Sequence, residues 1–62
     1  MEREELLTIE DVARITRLAR GSLYHFVSER RIPFIRVSAR CIRFRREDIE
    51  KWIADKLVQP RG

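Results

Sequence analysis

Proline at position 33 divides this chain into two kinds of hydrophobic pattern. It disfavours helical geometry at Ile32 and cannot itself continue a helix, so any helix before it must stop near Arg30 or Arg31. Upstream, Leu23, Phe26 and Val27 recur at i, i+3 and i+4, the apolar stripe of a helix pressed onto a small core. Downstream, Phe34-Ile35-Arg36-Val37 and Ile42-Arg43-Phe44-Arg45 alternate with period two. Such alternation reads as a hairpin, with Ile35, Val37, Ile42 and Phe44 on its buried face and Arg36, Arg43 and Arg45 on the other. Two strands alone are barely stable in water, so this hairpin must lean on the helices.

The flanking segments complete the pattern. Met1 to Leu6 read as a frayed acidic lead-in. Thr8 is a good N-cap, and Asp11 three residues on can return a bond to it in a variant of the capping box. The helix it opens runs over 9–16, with Ile9, Val12, Ala13 and Thr16 inward and Glu10, Arg14 and Arg17 outward. A turn over Thr16 to Ala19 follows, with Leu18 as its apolar plug. After the hairpin, Arg46-Glu47-Asp48 leads into a last helix with acids in its first turn. Its stripe is Ile49, Trp52, Ile53 and Lys56/Leu57, with Trp52 as a core anchor, and Pro60 marks its finish. The expected class is mainly α with a small β-hairpin: helix-turn-helix, two-stranded wing, C-terminal helix. It forms one domain over 7–57, with tails at 1–6 and 58–62.

Size and composition narrow the function. Sixty-two residues bury too little apolar surface for a deep enzymatic cleft, which favours a binding module without catalytic activity. Cys41 is the only cysteine and His25 the only histidine, so an internal disulfide, a metal cluster and a Ser-His or Cys-His arrangement all lack members. No cofactor and no small-molecule ligand is expected. The sequence shows no signal-peptide pattern and no apolar run long enough to span a membrane, which fits a cytoplasmic protein.

Charge carries more information than its total of +4. Between Val12 and Arg46 ten arginines stand against a single acid, Glu29, a local excess of nine. The other acids gather at the N-terminus and in the last helix. Arginine is the side chain best able to fork onto phosphate or guanine, and a segregated basic block favours an anionic polymer as partner. The competing account is a surface kept basic for solubility.

The second helix surrounds its apolar stripe with Arg20, Gly21, Ser22, Tyr24, His25 and Ser28. Small residues permit close approach, while Arg, Ser and Tyr reach phosphates or base edges. A merely solvated face would use similar residues. Gly21 lowers helix propensity by roughly 1 kcal/mol relative to alanine. That means either a loose first turn or a backbone brought close to phosphate.

The landmarks in order are Leu7-Thr8-Ile9-Glu10-Asp11-Val12-Ala13, Ser22-Leu23-Tyr24, Ile32-Pro33, Ile42-Arg43-Phe44 and Asp48-Ile49-Glu50-Lys51-Trp52. Over Leu7 to Leu57 the chain resembles the excisionase-type, MerR-like winged helix-turn-helix family of small DNA-binding proteins. The resemblance implies a double-stranded DNA partner, a second helix in the major groove, and a wing on the adjacent backbone or minor groove. It implies either a recombination directionality factor or a small transcriptional regulator, associated with the nucleoid. Partners would be an integrase or copies of the chain on adjacent sites. Carried onto this sequence, Arg20, Ser22, Tyr24 and His25 fall where the recognition-helix contacts lie, and Arg43 falls at the family's wing arginine; residue type adds Arg17, Gly21 and Ser28 to the helix contacts and Arg36, Ser38 and Arg40 to those of the wing. Departures are visible: Arg17 and Arg30 stand where the family often has glycine, Ala19 where it has a serine cap, and Ser38-Ala39 where glycine is common. The added arginines imply heavier phosphate contact. Two rival readings are a protein-interaction module docking an acidic partner such as a recombinase, and an RNA binder, for which an aromatic stacking platform is missing.

Overall fold

Thr8 begins the first helix as its residue type dictates. In the computed structural model, which describes residues 5–60, its hydroxyl accepts from the Asp11 amide at 3.2 Å, and the Asp11 carboxylate accepts from the Thr8 amide at 3.0 Å. This reciprocal capping box opens α1, Ile9–Thr16, with the bounds read from sequence. Helix α2 spans Arg20–Ser28; its N-cap, Ala19, offers no side-chain bond, as expected of alanine there. The Thr16 hydroxyl donates to the Val12 carbonyl at 2.7 Å and accepts from the Leu18 amide at 3.3 Å, tightening the turn between the helices. Leu18 does not plug the core. It is exposed, and with Ile15, Phe26, Trp52 and Ile53 it lines an open apolar groove of about 440 Å³.

Both helices end on an arginine in the left-handed region, Arg17 at φ 63° and Arg30 at φ 57°. Arg17 closes α1 with a bond from its amide to the Ala13 carbonyl at 2.7 Å. At the end of α2 the Arg31 amide donates to the Phe26 carbonyl at 2.8 Å and the Arg30 amide to Val27 at 3.0 Å, a Schellman motif with arginine in the place glycine favours. This motif stops the helix at Ser28, two residues before the limit set by Pro33.

Three strands form one antiparallel sheet in the order β1-β3-β2: β1 is Leu6–Leu7, β2 Ile35–Ser38 and β3 Cys41–Arg45. Strand β1 corrects the reading of Leu6 as frayed, because it pairs with Arg45 beside Leu7, which pairs with Phe44. Of the rest of the lead-in, Glu5 is exposed and outside any element, and 1–4 lie outside the described residues.

The hairpin face is also corrected. The turn is only Ala39-Arg40, with Ser38 opposite Cys41. In that register Val37 would meet Ile42 and Ile35 would meet Phe44, as the alternation predicts. A bulge at Val37 intervenes, so that Arg36 opposes Ile42 and Ile35 opposes Arg43. One extra residue turns the strand over. Val37 is left exposed, and Phe34 takes Ile35's expected place against the core.

Helix α3, Arg46–Ala54, follows β3 without a loop. The core is Leu7, Ile9, Val12, Leu23, Val27, Ile32, Phe44 and Ile49, drawn from every helix, from strands β1 and β3, and from the segment before the hairpin. Each such aliphatic or aromatic side chain stabilises by roughly 1.5–3 kcal/mol when fully buried. Trp52 packs half-buried at its edge, its ring edge-on to Phe26 at 5.7 Å. The stripe of α3 ends before Leu57, which lies beyond the helix and is exposed.

Candidate nucleic-acid interface

The core fixes the roll of α2. Leu23 and Val27 point inward, and Tyr24, His25 and Ser28 are consequently exposed, Tyr24 to 51 %. Arg20, Gly21 and Ser22 are exposed on the first turn. A Cβ added at Gly21 would meet nothing within 4 Å, so no packing within the chain demands glycine there. The Ser28 hydroxyl donates to the His25 carbonyl at 2.8 Å and holds the end of the helix. Glu29 Oε2 stands 3.3 Å from His25 Nε2, while its other oxygen is 3.5 Å from Arg31 Nη1.

The wing comes to the same side as α2. A cleft of about 220 Å³ is lined by Thr8, Ile9 and Glu10 at the start of α1, by Tyr24 of α2, and by Arg40, Ile42 and Arg43 of the hairpin. The structure therefore brings Tyr24, Arg40 and Arg43 together from segments far apart in sequence. Arg43 is half-buried and donates through Nη1 to the Ile42 carbonyl at 2.8 Å, which directs its guanidinium. Arg36 lies at the other strand, its guanidinium 5.6 Å from the centroid of Phe34. Ser38 is exposed beside the turn.

The arginines divide into two groups. Arg14 pairs with Asp11, Arg20 with Glu10, Arg31 with Glu29, and Arg45 with Glu47 and Asp48. Among the described residues no carboxylate pairs with Arg17, Arg30, Arg36, Arg40, Arg43 or Arg46. Those six hold their charge without a local counter-ion; five of them, all but Arg46 at the start of α3, lie in the helix-turn-helix and the wing, which suits them to phosphate.

Glu10 is the residue that sequence reading missed. It faces outward, as its place on α1 predicts, and its carboxylate also accepts from Arg20 Nη1 at 3.1 Å across ten residues. Its own backbone N–H, then the hydrogen bond from Arg20, hold the Glu10 carboxyl below the usual carboxylate range. Nothing local signals this pair, because it depends on how α1 and α2 cross. Cys41 is a free thiol, half-buried in β3 opposite Ser38. Among the described residues no group of three or more His, Cys, Asp or Glu is placed to hold a metal ion. No helix there is long and apolar enough to cross a membrane.

A helix-turn-helix with a basic hairpin beside its second helix, closed by a third helix on the sheet, defines a winged helix-turn-helix domain. The helix-turn-helix domain family matches residues 6–56, nearly the whole chain, and the chain belongs to it. This is a DNA-binding family that includes excisionase-like proteins. Comparison with curated proteins and with solved structures gives no significant match.

Proposed function

We propose that this chain reads duplex DNA by sequence, as an excisionase-like recombination directionality factor or a small transcriptional regulator of the excisionase-type, MerR-like kind. Helix α2 enters the major groove, where Arg20, Gly21, Ser22, Tyr24, His25 and Ser28 meet bases and flanking phosphates. Arg17 precedes it on the backbone. The hairpin, through Arg36, Ser38, Arg40 and Arg43, holds the adjacent backbone or a narrow minor groove. The observation that carries this reading is the cleft uniting Tyr24 of α2 with Arg40 and Arg43 of the wing. A helix and a hairpin converging with aromatic and cationic groups can straddle one strand of a duplex. The protein would act in the cytoplasm on the nucleoid, alongside an integrase or copies of itself on neighbouring sites.

Selection from a random duplex library at near-physiological salt tests this. A sharp enriched motif supports sequence reading; direct repeats of it favour cooperative, excisionase-like assembly, and inverted repeats favour a dimeric regulator. Absence of any enriched motif contradicts the proposal.

A further inference from the structure

Arg20 stands in an unfavourable place for a cation. It is the first residue of α2, at the positive end of the helix dipole, and the first turn of α2 contains no acid to offset it. The compensating charge comes from α1, where Glu10 Oε2 lies 3.1 Å from Arg20 Nη1. Both side chains are about three-fifths exposed, so water screens the attraction and the pair adds little to folding. What the pair does is geometric. Val12, Leu23 and Val27 share one core, so the two backbones that carry Glu10 and Arg20 are held rigidly relative to each other.

A guanidinium has five N–H donors in a planar fork. Glu10 engages Nη1, and the edge formed by Nε and Nη2 makes no bond among the described residues. That free edge matches the O6 and N7 acceptors of guanine in the major groove. We infer that Glu10 is a specificity-determining positioning residue, which holds Arg20 so that its free edge forks onto one guanine rather than swinging to a phosphate. Glu10 contributes in two ways. It restricts a long side chain that would otherwise sample many rotamers, and its negative charge makes a phosphate a poorer partner for the pair than a neutral base edge. The inference rests on the reading of α2 as the helix in the major groove.

The test compares the native protein, E10Q and R20K in duplex selection, with affinities for the selected site and for its variants at each position. Native protein should favour guanine at one position by roughly 5- to 150-fold, the range for a good bidentate contact. E10Q should lower that preference about fivefold or more, leave other positions unchanged, and bind random duplex as well as or better than the native protein. R20K should lose the same position, because an ammonium cannot fork. Thermal midpoints should match across the three proteins, which separates positioning from folding. If the native protein selects a motif and E10Q retains every preference, or loses affinity equally at all positions, the positioning role is overturned while the reading of α2 stands. If the native protein selects no motif, both fall together.

Discussion

The indole Nε1 of Trp52 donates to the backbone carbonyl of Arg31 at 2.8 Å, tying α3 to the chain just after α2 ends. The ring also meets Phe26 edge-on, and Lys56 Nζ lies 4.6 Å from its centroid. Trp52 therefore anchors the C-terminal end of α2 through a polar bond and a packing contact at once. W52F keeps an aromatic ring but removes the hydrogen bond to the Arg31 carbonyl, leaving that exposed oxygen to water. It should destabilise the fold by about 1–2 kcal/mol, lowering the thermal midpoint of so small a domain by several degrees. A midpoint equal to the native one would mean that the hydrogen bond contributes nothing.

Arg17 and Arg30 occupy left-handed backbone that costs a side-chain-bearing residue roughly 1–2 kcal/mol. Glycine is the relaxed choice at both positions. R17G and R30G should each raise stability by about 1 kcal/mol in a denaturant titration and each weaken duplex binding at every sequence. Their salt dependence should flatten by about one for each lost phosphate contact. A gain in stability with unchanged affinity would show that these arginines do not touch DNA.

Gly21 poses a cleaner version of the same trade. Open space around its missing Cβ means that G21A should stabilise the free protein by about 0.5–1 kcal/mol. Duplex affinity should nevertheless fall, because the methyl group would stand between the helix and the phosphate it approaches. Unchanged affinity would leave Gly21 as only a loose first turn.

The capping box gives α1 a pH dependence. Asp11 titrates below its ordinary value of 3.8, chiefly because the Thr8 amide donates to it, with help from the Thr8 hydroxyl and Arg14. A carboxyl lowered on folding contributes fully above its unfolded value and loses that contribution as pH falls through the lower folded one. Denaturant midpoints of the native protein should therefore drop below about pH 4. D11A should be less stable at neutral pH and show a shallower acid decline. Parallel acid profiles for the two proteins would mean that Asp11 contributes nothing to the acid decline.

The boundaries of α1 were legible because Thr8 and Asp11 settle them within four residues. The core stripe of α2 was legible for a similar reason: Leu23, Phe26 and Val27 sit on one helical face. What escaped was decided by contacts distant in sequence. Two leucines at 6–7 show no alternation, and they form a strand only because β3 offers an edge. The bulge at Val37 reverses the face of β2, and alternation alone cannot reveal an inserted residue. Leu18 looked like a core residue by type, but the crossing of α1, α2 and α3 leaves it on an open groove. The candidate site rests on residue type along α2 and the wing, and the contact of Glu10 with Arg20 follows only from the packing of two helices.

If the arginines without a carboxylate partner bind duplex DNA, their contacts must release counter-ions from the phosphates. The most direct test is the affinity of the purified protein for its selected duplex, measured across a salt series. Contact by Arg17, Arg30, Arg36, Arg40 and Arg43 predicts a log–log slope of roughly −4 to −5, reduced by about one in R43A. Duplex affinity that stays flat with salt, or is absent at low salt, would contradict it.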